Sequence, residues 1–153
     1  MTKENIFTMD TSGIKFCNGC TEEVGYEAKR FGISKALVIT DKKIEKLGLF
    51  QTVKDSLSRY GVDFSVYNEV VTEPTDTSFK NASSFASDGD YDGFIAVGGG
   101  SVMDTTKAAN LYSTYPADFL DYVNAPIGKG IPIPGPLKPL ICVPTTAGTG
   151  SET

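Results

Sequence analysis

The chain of 153 residues contains no histidine, and that absence sets the limits of its chemistry before any motif is considered. Ser-His-Asp and Cys-His nucleophiles are excluded, as is an imidazole general base. Zinc sites built with histidine go too, which leaves thiolates and carboxylates as metal ligands. Reactivity must therefore come from a bound cofactor, from carboxylates, or from residues outside this chain.

Three tracts can hold a ligand. Phe94-Ile95-Ala96-Val97 reads as a buried strand, and Gly98-Gly99-Gly100-Ser101 follows at once. Ser101-Val102-Met103-Asp104 fits the S-x-x-[DE] pattern of a helix start. Glycines let a ligand approach the backbone without side-chain interference, and the free N–H groups of a helix start attract an anion such as a cofactor pyrophosphate. The same residues also suit a tight strand-to-helix turn with no ligand. This is not the common G-x-G-x-x-G dinucleotide signature, which follows the first strand and precedes its acidic residue. Here the acidic candidate comes first. Asp41 closes Ala36-Leu37-Val38-Ile39-Thr40. A carboxylate there can accept both hydroxyls of an adenosine ribose and repel a 2′-phosphate, favouring NAD over NADP. It can equally cap a helix beginning at Lys42. The third tract, Pro144-Thr145-Thr146-Ala147-Gly148-Thr149-Gly150-Ser151, supplies backbone donors and hydroxyls for ribose, phosphate or a nicotinamide amide.

Cys17-Asn18-Gly19-Cys20 matches C-x-x-C. A zinc ribbon needs a second such pair, and three cysteines are an odd count for a disulfide scaffold. Glu22 and Glu23 would disfavour the thiolate that a redox role requires. The expectation is therefore structural: small apolar side chains around a tight turn at Gly19. Cys142, inside Leu140-Ile141-Cys142-Val143, reads as core.

The elements that must position these tracts alternate along the chain. Strands are expected at Ile14–Cys17, Ala36–Thr40, Phe64–Tyr67, Phe94–Val97 and Leu140–Val143, and helices at Thr21–Phe31, Lys42–Tyr60, Thr75–Ser87 and Val102–Tyr112, with a further helix around Pro116–Tyr122. Gly32, Gly61 and Gly89 stand where helix-ending glycines belong, and Pro74-Thr75-Asp76 is a helix-start signal. The Pro- and Gly-dense stretch from Asn124 to Leu137 is an excursion loop. Such alternation predicts an α/β fold: a Rossmann-like, open, mostly parallel sheet with helices on both faces. Asp41, the glycines and Thr145-Thr146 then all fall just past the carboxyl ends of strands, the edge where such sheets bind ligands.

Composition narrows the partners. A hydrophobic share of 40% with 22% charged residues describes a folded globular chain. A net charge of −5 has the wrong sign for nucleic-acid binding through phosphate neutralisation. No run approaches the roughly 20 apolar residues that span a bilayer, so no membrane association is expected. The first twenty residues lack the features of a secretory signal or transit peptide, which makes the cytoplasm the expected compartment.

Taken together, Gly98-Gly99-Gly100-Ser101-x-x-Asp104-x-x-Lys107 and Pro144-Thr145-Thr146-Ala147-Gly148-Thr149-Gly150-Ser151-Glu152 resemble the iron-containing alcohol dehydrogenase family in motif, order and spacing. Glu73-Pro74-Thr75-Asp76, Asp118–Val123 and Ala125–Gly130 resemble its hydroxyacid-oxoacid transhydrogenase branch. The resemblance implies that residues 1–153 form a dinucleotide-binding domain, followed in a complete enzyme by a helical metal-binding domain absent from this chain. By the same resemblance Asp41 holds the adenosine ribose, Gly99, Gly100 and Ser101 cradle the pyrophosphate, and Thr145, Thr146 and Thr149 contact the rest of the cofactor. Asp104 lies near the nicotinamide end. Many family members carry Asn where this chain has Glu73.

The implied cofactor is NAD, with iron or zinc only in the full-length enzyme, where the metal polarises the substrate oxygen while hydride passes to or from NAD. The implied substrate is a small alcohol or hydroxy acid, and a homo-oligomer is compatible with the resemblance. No catalytic or metal-ligating residue is expected within this chain, and the isolated polypeptide is expected to be inactive. The alternative is a stand-alone nucleotide-binding or regulatory α/β module without catalysis.

Overall fold

The computed structural model describes residues 12–152. Four strands, β1 (Lys35–Ile39), β2 (Asp63–Tyr67), β3 (Gly93–Gly98) and β4 (Leu140–Pro144), form one sheet in the order β2-β1-β3-β4, and every pair is parallel. Four α-helices connect or flank them: α1 (Val24–Arg30), α2 (Gly48–Arg59), α3 (Asp76–Ser87) and α4 (Gly100–Thr114). The α/β, Rossmann-like class expected from the alternation is the observed one. Strand order reverses between β1 and β3, since the chain runs from β1 outward to β2 and then crosses to β3 on the other side.

The period-two geometry of strands divides the core into two layers. Leu37, Ile39, Phe94 and Ala96 face α3 and α4, where Ala82, Ala86, Val102, Met103 and Ala109 close the layer. Ala36, Val38, Ile95 and Val97 face the other way, against Val24, Ala28, Phe50, Val53 and Leu57 of α1 and α2. Because β1 and β3 are covered on both faces, their sequences are apolar throughout rather than alternating. Full burial of a side chain such as Phe50 or Leu57 contributes about 1.5–3 kcal/mol. Among the described residues, no helix is long and apolar enough to cross a membrane.

The helix-start signal at Pro74-Thr75-Asp76 is realised as a reciprocal capping box: Ser78 N donates to Thr75 Oγ1, and Thr75 N donates to Ser78 Oγ. Gly32 and Gly61 end α1 and α2 with left-handed φ values of 77° and 63°. Gly89 does not; its φ is not positive, and the Tyr91 ring packs over the space a side chain would need.

Four expectations are corrected. Ile14–Cys17 is not a strand: no sheet edge of the described residues lies beside it, and Lys15 reaches instead to Glu23 and Glu27 on the turn and helix that follow. The helix expected over Lys42–Tyr60 is a 3-10 turn, Ile44–Lys46, followed by α2, with Leu47 extended between them. Pro116–Tyr122 forms turns, because Phe119 leaves any helical path to stack on Tyr112, with ring centroids 5.3 Å apart, while its carbonyl accepts from the Tyr112 hydroxyl. Cys17 and Cys20, expected as free apolar side chains, are joined as a disulfide; the left-handed Gly19 turn brings their Cα atoms to 5.2 Å. The excursion from Asn124 to Leu137 is irregular as expected, and is tied down at its carboxyl end by Tyr115 Oη, which donates to Pro136 O, and by Asn110 Nδ2, which donates to Lys138 O.

Candidate functional site

The carboxyl ends of β1, β3 and β4 lie side by side, stitched by two hydrogen bonds. The buried Thr40 hydroxyl, one residue past β1, donates to Val97 O at 2.8 Å. Thr145 N, one residue past β4, donates to Gly98 O at 2.9 Å. Asp41, the glycine tract and the threonine bend are thereby brought onto one rim, at the reversal of strand order. Convergence of these three sequence-distant tracts is a direct consequence of parallel pairing in the order β1-β3-β4.

The glycine tract and the threonine bend touch. A Cβ on Gly99 would sit 2.9 Å from Thr146 Oγ1, and one on Gly100 would sit 3.1 Å from both Thr149 Cβ and Ser151 Oγ. A Cβ at either glycine is accommodated only if the Thr146, Thr149 or Ser151 side chain gives way. Gly99 is the N-cap of α4, and no side chain caps the helix; Val102 N and Met103 N bond to Gly99 O. Ser101, expected as a capping residue, is instead the second helical residue, and its carbonyl accepts from Thr105 Oγ1. The start of α4 therefore keeps its first N–H groups for an outside acceptor, at the positive end of a 15-residue helix.

Asp41 does the capping that its position allows: Oδ1 accepts from Lys43 N at 2.8 Å and Ile44 N at 3.0 Å, opening the short 3-10 turn. Its backbone also bridges to Glu69 in the connection after β2, where Lys42 and Glu69 pair at 2.7 Å. Both capping bonds fall on Oδ1. Both readings of Asp41 are thus sterically compatible.

The three threonines are exposed and differ in commitment. Thr146 faces Gly99; the Thr149 hydroxyl accepts from Ser151 N at 3.2 Å and donates to Glu152 at 3.3 Å; Thr145 is fixed through its backbone. Asp104 lies one turn into α4, exposed between the buried Met103 and Thr105, and the structure does not tie it to the rim. Cys142 is half-buried within β4, and burial pushes its thiol above the ordinary range.

One residue of this edge carries a conformation its sequence does not announce. Glu73, in the exposed connection from β2 to α3, adopts φ 55°, the left-handed region that disfavours any residue with a Cβ. Glycine or asparagine is the sequence signal for such a position, and this chain has neither there.

The groups present suit a dinucleotide: glycines at the strand-to-helix turn, a helix start without a side-chain cap and a carboxylate just past β1. They do not suit a metal; among the described residues no three His, Cys, Asp or Glu side chains gather to hold one.

Comparison with known proteins shows the family. The family model of iron-containing alcohol dehydrogenases matches residues 11–153. The mitochondrial hydroxyacid-oxoacid transhydrogenase of Bos taurus is 56% identical over 153 residues, covering 99% of this chain and 33% of its own length. That of Homo sapiens is 53% identical with the same coverage. The chain thus spans about a third of the length of the curated relatives it matches. Among solved structures, NADH-dependent butanol dehydrogenase A of Thermotoga maritima superposes with a TM-score of 0.85 at 28% identity, over 96% of this chain and 36% of that one. Sulfoacetaldehyde reductase of Bifidobacterium kashiwanohense, solved in complex with NAD+, gives 0.75 at 28% identity, over 88% and 34%. The expected cytoplasmic compartment is corrected by these relatives, since the bovine, murine and human transhydrogenases are mitochondrial. With a family model covering nearly all of its length, the chain belongs to the iron-containing alcohol dehydrogenase family.

Proposed function

We propose that this chain is the NAD-binding part of an oxidoreductase that moves a hydride between NAD and a small alcohol or hydroxy acid. The observation that carries it is the meeting of Asp41, Gly98–Ser101 and Thr145–Thr149 on one rim through the Thr40–Val97 and Gly98–Thr145 bonds. An NAD+ complex among the structural neighbours and the transhydrogenase and butanol dehydrogenase relatives support the cofactor and the substrate class.

Bound NAD supplies the hydride acceptor or donor. The chain's own residues bind and orient it. Gly99 and Gly100 offer backbone without a Cβ, and the N–H groups of Gly100 and Ser101 at the start of α4 receive the pyrophosphate. Asp41 Oδ2 accepts from the adenosine ribose while Oδ1 holds the turn. Thr145, Thr146 and Thr149 close the opposite wall and contact the remainder, with Asp104 toward the nicotinamide end. The mitochondrion is the compartment this reading takes from the relatives.

No step through a metal is derived from these residues, since the described part of the chain offers no ligand cluster. Iron or zinc belongs, in this reading, to the part of the enzyme that the relatives possess beyond the matched third. The separate 153-residue polypeptide is accordingly expected to bind NAD without oxidising an alcohol.

The test is a titration with NAD and NADP of the parent and of Asp41→Asn and Asp41→Gly. Asn caps as well as Asp, and Gly costs only a few tenths of a kcal/mol, so the fold survives both. The parent is expected to bind NAD weakly and NADP more weakly still, with the gap narrowed in both variants. Equal affinity for the two cofactors in the parent removes Asp41 from the ribose site.

A further inference from the structure

The Cys17–Cys20 disulfide stands apart from everything the rim explains. It closes a loop of only four residues, the size at which a cross-link constrains the unfolded chain least. The backbone there already holds itself, with Cys20 N donating to Cys17 O and Glu22 N to Gly19 O. It joins no core layers: Cys17 is exposed, Cys20 half-buried, and neither belongs to the two packed clusters. A disulfide closing so short a loop, with an open approach, has the surroundings of an exchangeable one.

Its position gives exchange a consequence. Asn18 and Gly19, within the bonded loop, line a surface groove of about 590 Å³ together with Glu22, Glu23, Arg59 and Tyr60. Arg59 ends α2 immediately before β2 begins, so the groove lies at the amino ends of the strands, opposite the cofactor rim. The loop joins α1, through its leading 3-10 turn, to an arm without regular secondary structure, residues 12–16, whose Ile14 and Phe16 are 85% and 96% exposed. Among the described residues, the ties to that arm are the Lys15 ion pairs to Glu23 and Glu27, the Lys15 ammonium over the Tyr26 ring, the Cys20 N–Cys17 O bond and the disulfide itself.

We propose that Cys17 and Cys20 form a reversible dithiol–disulfide site for a low-molecular-weight thiol–disulfide couple, and that reduction frees the arm from α1. In the reducing direction a small thiolate attacks one sulfur. The Cys17–Cys20 bond breaks, a mixed disulfide forms, and the other cysteine leaves as thiolate and takes a proton. A second small thiolate attacks the mixed disulfide and releases the remaining cysteine. Two electrons pass from two small thiols to the protein, and one small disulfide is produced; oxidation is the reverse. Glu22 and Glu23 disfavour a thiolate beside them, which makes re-oxidation slow, on the order of minutes to hours.

The experiment equilibrates the folded chain in glutathione buffers of varied reduced-to-oxidised ratio, quenches with acid, and counts thiols by alkylation and mass spectrometry. Trypsin cleavage after Lys15 is followed in parallel. Of the three cysteines, Cys17 and Cys20 are expected to gain and lose reactivity together and reversibly, with no stable mixed disulfide, and cleavage after Lys15 is expected to rise several-fold on reduction. The double variant Cys17→Ser, Cys20→Ser is expected to show the fast cleavage in every buffer. Free thiols at both positions in oxidised glutathione overturn the proposal, as does a disulfide that survives excess reduced glutathione until the chain is unfolded. Cleavage after Lys15 that ignores the redox state overturns the release of the arm.

Discussion

Thr146 Oγ1 lies 2.9 Å from the point where a Cβ on Gly99 would stand. That single approach couples the start of α4 to the bend after β4, and it makes the absence of a side chain at Gly99 a requirement of the rim rather than of the backbone. Gly99 itself has φ −83° and ψ −169°, a conformation open to any residue.

Gly99→Ala should therefore fold. Thr146 is a side-chain neighbour able to rotate, so the expected stability change is within about 1 kcal/mol either way. Binding of NAD should fall at least about tenfold, or about 1.4 kcal/mol, because the added methyl and the rotated Thr146 side chain obstruct the approach to the start of α4. Denaturant titration and calorimetric NAD titration read the two effects separately. A loss of several kcal/mol in stability would assign the glycine to folding instead.

Glu73 is held at φ 55° in an exposed connection. A left-handed residue with a Cβ costs roughly 1–2 kcal/mol, and Asn or Gly relieves part of that. Glu73→Asn and Glu73→Gly should each raise the urea midpoint, by an amount equivalent to about 0.5–1 kcal/mol, with an unchanged slope. A lowered midpoint in both variants would show that the glutamate side chain stabilises the connection more than its conformation costs.

Alkaline destabilisation should begin at Cys142. Burial raises its pKa in the native state, with Lys107 opposing and Glu152 adding to the effect. From about pH 8.5, the ordinary thiol value, the unfolded chain releases this proton while the native chain keeps it. The contribution to stability is full below that pH and is lost as pH rises through the native pKa. Tyr67 and Tyr112, also raised by burial, add the same sign only from about pH 10. Cys142→Ala should flatten the stability profile between about pH 8.5 and 10 while leaving the steeper fall above it. An unchanged profile would place the early loss elsewhere.

Much of the fold was legible because β1 and β3 are apolar without interruption and the segments between strands keep helical spacing. Asp41, Gly98–Ser101 and Thr145–Thr149 could be assigned to one edge from parallel pairing alone. The hydrogen bonds that make the rim, Thr40 to Val97 and Thr145 to Gly98, pair residues 57 and 47 positions apart in a register no local pattern specifies. Ser101 misled as a cap because S-x-x-D also occurs within the first turn of a helix whose cap is a glycine two residues earlier. The strand expected at Ile14–Cys17 failed because a strand is made by its partner, and the described residues offer none there. Phe119 and the Cys17–Cys20 bond were hidden for the same reason: each is decided by a contact, not by its own residue type.

Backbone amide chemical shifts recorded while NAD is titrated into the folded chain bear most directly on the assignment of the rim. The account predicts saturable changes concentrated at Gly99, Gly100 and Ser101, at Asp41 and its neighbours, and along Thr145–Thr149, with the Arg59 groove at the other end of the strands unmoved. Changes confined to that groove, or none at millimolar NAD, would contradict it.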